Sequence, residues 1–81
     1  MNSVDKYVNS LLSQLKNDEH CFILISYLKL NKIPIRELVL QMLGPEFSYR
    51  FSPYYELMAY TVIYNRLKDG FKRHKNNKYI K

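Results

Sequence analysis

Glycine, proline and cysteine are scarce in this chain, and tryptophan is missing. With only Gly44 and Gly70, there is no glycine loop of the kind that cradles phosphates. One cysteine, Cys21, rules out an intrachain disulfide framework and agrees with a reducing compartment. Cys21, His20 and His74 are the only thiol and imidazole groups, whereas a structural zinc site normally takes four such ligands. His20 and Cys21 are neighbours, but in a helix adjacent side chains point about 100° apart and form no thiolate–imidazole pair through local geometry. The better reading is a surface imidazole beside a small buried thiol. The seven acids are scattered, with no pairing that local spacing would create. No catalytic residue, metal ligand or cofactor is therefore assigned, and the chain is not expected to be an enzyme.

Long apolar runs are missing too. The longest, Cys21 to Leu28, contains Ser26 and falls far short of the ~20 residues a membrane helix needs. Met1-Asn2-Ser3-Val4-Asp5 lacks a basic segment followed by an apolar stretch, so it does not read as a signal peptide. A soluble, cytoplasmic protein is the expectation.

What is present is core material. Of 81 residues, 47% are hydrophobic and 15% aromatic, too many for a chain disordered throughout. The size suits one small domain, near the lower limit for a single apolar core. The formal net charge of +6 lies wholly in the last sixteen residues. There Arg66, Lys68, Lys72, Arg73, Lys75, Lys78 and Lys81 face one acid, Asp69, while residues 1–65 are neutral. A neutral body with a cationic end fits an anionic partner, a membrane surface or a solvated tail.

Periodicity predicts an all-α bundle of about four helices, near 4–16, 18–31, 34–43 and 53–70. In the first, Val4, Tyr7, Val8, Leu11, Leu12 and Leu15 share one helical face, with Ser3 as N-cap. Asn17-Asp18 breaks that pattern and caps the second. The second is apolar nearly all round, and periodicity alone does not separate a buried helix from a buried strand over 21–29. Its acidic start (Asp18, Glu19) and basic end (Lys29, Lys32) favour helix, and its composition makes it the expected central element. The third opens with Pro34 at its first position and stops at Gly44-Pro45. Residues 45–52 read as a loop pinned by Phe47, Tyr49 and Phe51. The fourth starts at Ser52-Pro53 and carries a seam of Leu57, Tyr60, Tyr64, Leu67 and Phe71, widened by Met58, Val62 and Ile63. It is expected to run to about Asp69 or past Gly70 to Lys75. Residues 1–75 thus form one helical domain and 76–81 a frayed basic tail.

Two surfaces are candidates for function. The last helix bears more apolar and aromatic surface than one side of a small bundle can bury. Tyr54, Tyr55, Tyr60 and Tyr64, with Phe47 of the loop, are therefore candidate partner-binding residues, for another protein or a homodimer. Arg66, Lys68, Lys72, Arg73, Lys75 and Lys78 are candidate anion-binding residues, with Lys68, Lys72 and Lys75 on one helical stripe and Tyr79 available to stack on a base. The second and third helices have a helix-turn-helix outline. The third, however, is dominated by Leu38, Val39, Leu40, Met42 and Leu43, leaving only Arg36, Glu37 and Gln41 to read bases. A core helix following a turn is the better reading.

The expected function is a non-enzymatic regulatory protein that binds another protein, with non-specific nucleic-acid binding by the basic end as the alternative. In its Asn17-Asp18-Glu19-His20 junction, its Lys75-Asn76-Asn77-Lys78 end and its Lys/Asn/Ile/Tyr-rich composition, the chain resembles accessory proteins of AT-rich bacteriophages. Among these it is similar to the small cytoplasmic antiholins of T4-type phages. That resemblance implies binding to a holin's cytosolic part, and it transfers no individual functional residue.

Overall fold

The computed structural model describes residues 3–80, with side chains through Asn77. Five helices follow one another: α1 (Ser3–Leu12), α2 (Asp18–Leu30), α3 (Ile35–Leu43), α4 (Pro45–Arg50) and α5 (Pro53–Ile80). The described residues contain no strand, and 21–29 is helical. The all-α expectation holds.

The central element is α5, not α2 as expected. Its 28 residues span about 42 Å at roughly 1.5 Å per residue, close to the 44 Å long axis of the molecule. Each of the other four helices packs against it. Its core-facing residues are Ala59, Ile63, Leu67 and Gly70, so the expected seam is rotated. Leu67 is shared; Leu57 is exposed, and Tyr60, Tyr64 and Phe71 are half-buried. Bulk explains the shift: a helix covered by several neighbours turns small side chains inward, and its rings fill the margins.

Gly70 makes the closest of these approaches. A Cβ built there would lie 2.7 Å from Cys21 Cβ on α2 and 2.8 Å from Cys21 Sγ. The residue that looked like a possible helix stop is instead buried inside α5, where the lack of a side chain admits α2. Helix α5 then continues through Asn76-Asn77 to Ile80.

The other boundaries follow from local chemistry. Helix α1 ends at Leu12, not Lys16, because the chain tightens into i→i−3 bonds: Gln14 N–H to Leu11 C=O and Leu15 N–H to Leu12 C=O, both 3.0 Å. Leu15 stays buried. Asn17 caps α2 as expected, its side chain accepting from His20 N–H at 2.8 Å. At the other end Ile33 N–H donates to Leu28 C=O and Lys32 N–H to Lys29 C=O, a Schellman closure with Lys32 in the left-handed region (φ 57°). Pro34 occupies the N-cap of α3, one place before the expected position.

Gly44 both ends α3 and opens α4, at φ 75°, ψ 165°, a region open essentially only to glycine. The expected loop at 45–52 is thus mostly the short helix α4, started by Pro45 and Glu46. Helical spacing puts Phe47 and Phe51 on one face and Tyr49 on the opposite, exposed one. Tyr7 of α1 ties this corner together. Its ring packs edge-on against Phe47 (5.2 Å) and Phe51 (5.8 Å), and its hydroxyl donates to Leu43 C=O at 2.7 Å. That carbonyl belongs to the last turn of α3, where no backbone donor within the helix reaches it.

Gly70→Ala tests the close approach. In an exposed helix interior the change would gain up to ~1 kcal/mol of helix propensity. Here overpacking against Cys21 is expected to outweigh that gain, for a net loss of about 1–2 kcal/mol in urea unfolding. Adding Cys21→Gly should recover part of the loss. A stabilised Gly70→Ala protein would contradict the packing.

Candidate functional site

The candidate tyrosines separate into two pairs. Tyr54 and Tyr55, on the first turn of α5, are exposed and meet edge-on at 5.5 Å. Tyr60 and Tyr64 are half-buried and stack on each other at 5.9 Å. Phe47 is not a partner-binding residue. It is fully buried beneath α4, held by Tyr7 and by Phe51 at 4.7 Å.

Beside Tyr55 the structure opens an apolar groove of about 530 Å³ between α1 and α5. Val4, Val8 and Leu12 form one wall at i, i+4, i+8, and Tyr55, Met58, Ala59 and Val62 form the other. Asp5 and Asn9 supply its polar lining. Met58 and Val62 are exposed, while Val4, Val8 and Leu12 are half-buried and the floor at Ala59 is buried. Sequence reasoning placed Val4, Val8 and Leu12 on one apolar face of the first helix, and the structure packs them partly against the core and leaves the rest to line the groove; an apolar stripe alone does not show which part stays open.

No family model, curated protein or solved structure matches this chain.

Among the described side chains, the arginines of the basic end are engaged in ion pairs, whereas Lys72 and Lys75 are exposed and Lys68 is half-buried. Asp18, in the first turn of α2, takes Arg73 in a two-pronged pair (Nε to Oδ2 3.0 Å, Nη2 to Oδ1 3.1 Å) and Arg66 in a third bond (Nη1 to Oδ1 3.0 Å). Arg66 also donates to Leu15 C=O at 3.4 Å, in the middle of the α1–α2 link. These two candidate anion ligands therefore clamp α2 to α5, which local sequence could not reveal across 48 and 55 residues. Lys68, Lys72 and Lys75 stay on one stripe of an unbroken helix. Lys68 Nζ sits 6.0 Å from the Tyr64 ring and Lys75 Nζ 6.0 Å from the Phe71 ring. The side chains of Lys78 and Tyr79, and Lys81 as a whole, lie outside the described residues.

Lys29 of α2 joins this end, although it was not among the sequence candidates. Its Nζ lies 4.4 Å from the Phe71 ring, which also stacks on Phe22 at 5.2 Å. His74 packs on Phe22 at 4.9 Å. His20 and Cys21 have separate roles: His20 Nδ1 accepts from Lys16 N–H at 3.3 Å, and the Cys21 thiol donates weakly to Arg66 C=O at 3.8 Å. Burial pushes the Cys21 thiol up, leaving it protonated and a poor nucleophile at neutral pH.

The hydrogen bonds from Arg73 and then Arg66 hold the Asp18 carboxyl at about 2, below its usual value. A carboxylate depressed on folding contributes stability that is fully present above its unfolded pKa of about 3.9 and lost as pH falls through the folded value. Asp18→Asn should therefore destabilise the protein at pH 7, and the gap to the parent should narrow between about pH 4 and pH 2. Thermal unfolding at stepped pH reads this directly. A gap that stays constant down to pH 2 would show that the clamp does not depend on the carboxylate's charge.

Proposed function

We propose that this chain is a non-enzymatic regulatory module that acts by binding another protein, and that the α1–α5 groove receives an amphipathic helix of that partner. The observation that carries this reading is the groove itself: a concave apolar surface shared by two helices, with exposed Met58 and Val62 and the Tyr54–Tyr55 pair beside it. Helix-in-groove recognition needs this combination of an apolar trough and aromatic anchors. In the form implied by the resemblance to antiholins, the partner is the cytosolic part of a holin and binding blocks assembly of its pore.

A photocrosslinking residue placed at Met58 is expected to capture one defined protein in cells. Val62→Glu should then weaken that complex by roughly tenfold or more, because it buries an unpaired carboxylate in the contact. Val62 is exposed, so unfolding should hardly change. Binding indifferent to Val62→Glu would exclude the groove.

A second reading, non-specific nucleic-acid binding, is favoured by one observation: α5 is unbroken, so Lys68, Lys72 and Lys75 form a continuous basic stripe with Lys29 beside it. It is the weaker reading because Arg66 and Arg73 already pair with Asp18. Truncation after Asp69 would remove Gly70, Phe71 and Arg73, which hold the fold, so Lys68→Ala/Lys72→Ala/Lys75→Ala is the sounder variant. If the stripe binds duplex DNA, anisotropy titrations should lose about 0.9 of log–log salt slope for each phosphate contact removed. A slope unchanged by the triple substitution would exclude the stripe.

A further inference from the structure

We infer that the outward face of α5 seats the molecule on an anionic lipid bilayer, with the helix axis nearly parallel to the surface. Ala59, Ile63, Leu67 and Gly70 face inward. At 100° per residue, the direction opposite to that line runs through Tyr54, Thr61, Asn65 and Lys72, with Leu57, Met58, Lys68 and Lys75 within about 60° of it. Tyr54 and Leu57 are each 66% exposed and Met58 48%. From Leu57 to Asn65 the helix carries no charged residue, and the lysines follow over roughly the next three turns. Glu56, the acid just before that stretch, is half-buried off this face and accepts from the Ser48 hydroxyl at 2.7 Å. Asp69, at the margin, is the one acid of the face. One side of a straight helix is thus apolar along its first half and cationic along its second.

Charge and composition together select the occupant. Among the described residues, ion pairs take up Arg66 and Arg73 but none of these lysines. Three free cations against one acid call for an anionic surface. A nucleic acid would satisfy the lysines and leave Tyr54, Leu57 and Met58 in water. A bilayer satisfies both halves, because its acyl boundary takes apolar side chains and its headgroups supply phosphates. A slight tilt sets the first half deeper, and the long lysine stems reach the phosphates from the second. Tyrosine, apolar in body and polar at its tip, suits that boundary. Fluid headgroups suit lysine, a mobile point charge that needs no fixed two-pronged partner. The contact is also broad: α5 is helical over 28 residues and follows the 44 Å axis of a molecule 17 Å thick. Among the described residues no helix is long and apolar enough to cross a membrane, so the contact lies on its surface. The α1–α5 groove opens on one flank of α5 and shares only Met58 with this face.

Co-flotation of the full chain with vesicles tests this with no protein partner present, so its outcome is separate from that of the groove. Binding is expected to vesicles of phosphatidylcholine and phosphatidylglycerol in equal parts, to weaken at high salt, and to be absent with phosphatidylcholine alone. Lys68→Ala/Lys72→Ala/Lys75→Ala should weaken partitioning on the order of a hundredfold. Leu57→Gln changes no charge and should weaken it by roughly tenfold. Leu57 is exposed, so circular dichroism should not change. The chain has no tryptophan, so the emission of Leu57→Trp reports that position alone and should shift to the blue on anionic vesicles. Leu30→Trp, on the side of α2 turned away from α5, should not shift. No binding to anionic vesicles overturns the inference. Binding indifferent to Leu57→Gln also overturns it, reducing the contact to lysines adsorbed on any polyanion. A shift at Leu30→Trp in place of Leu57→Trp overturns it as well and moves the contact to α2.

Discussion

The contact between Gly70 and Cys21 sets the distance between α5 and α2, and most of the structure follows from that distance. A side chain of any size at Gly70 would push α2 outward, because the nearest obstacle is the Cβ of Cys21, not a flexible tip. Close approach puts Asp18 within reach of both Arg66 and Arg73, one turn before and one turn after Gly70 along α5. It also brings Phe22 onto Phe71. The glycine, the ion cluster and the ring stack are thus parts of one helix–helix interface. That interface runs the length of α2 and keeps α5 regular well past the point where its own composition would end it.

How much of this could be read from the sequence depends on how far apart the interacting residues lie. Caps and stops are local, and Asn17, Gly44 and Pro53 do what their types require. The helical state of α2 was legible from its charged ends. The central position of α5 was not, because centrality depends on which helices share a neighbour. Helical periodicity finds an apolar face but not its direction to within one residue, so the seam moved from Tyr60 and Tyr64 to Ala59 and Ile63. At 45–52 three aromatic residues at alternate positions read as a pinned loop, yet Phe47 and Phe51 are also i, i+4, and the segment after Pro45 is helical. Of the candidate site, Tyr54 and Tyr55 were placed on an exposed surface, while Phe47 belongs to the core.

The basic end shows why residue type matters beyond charge. Its two arginines both turn to one carboxylate, and Arg73 uses the planar two-pronged geometry that lysine does not have. Lys68 and Lys75, with compact ammonium groups on long stems, lie over Tyr64 and Phe71, where the stems cover ring surface and the charge stays in water. The excess positive charge that dominated the sequence is therefore divided in the fold: part of it locks α2, and the rest keeps an aromatic surface solvated.

The uncovered surfaces of α2 and of the α1–α5 pair have a common origin. A domain of this size, built around one long helix, has too few neighbours to enclose every apolar face it carries. Helix α5 uses four shorter helices to bury a line of four residues, and none of them is long enough to cover its first two turns and α2's outer side as well. What remains is not scattered: Met58 and Val62 with Val4 and Val8 form a trough, and Ile23, Tyr27 and Leu30 form a ridge. The two differ in shape: the trough has a wall from each of two helices, whereas the ridge is the outer side of one helix, left open because α2 already packs its opposite side on α5.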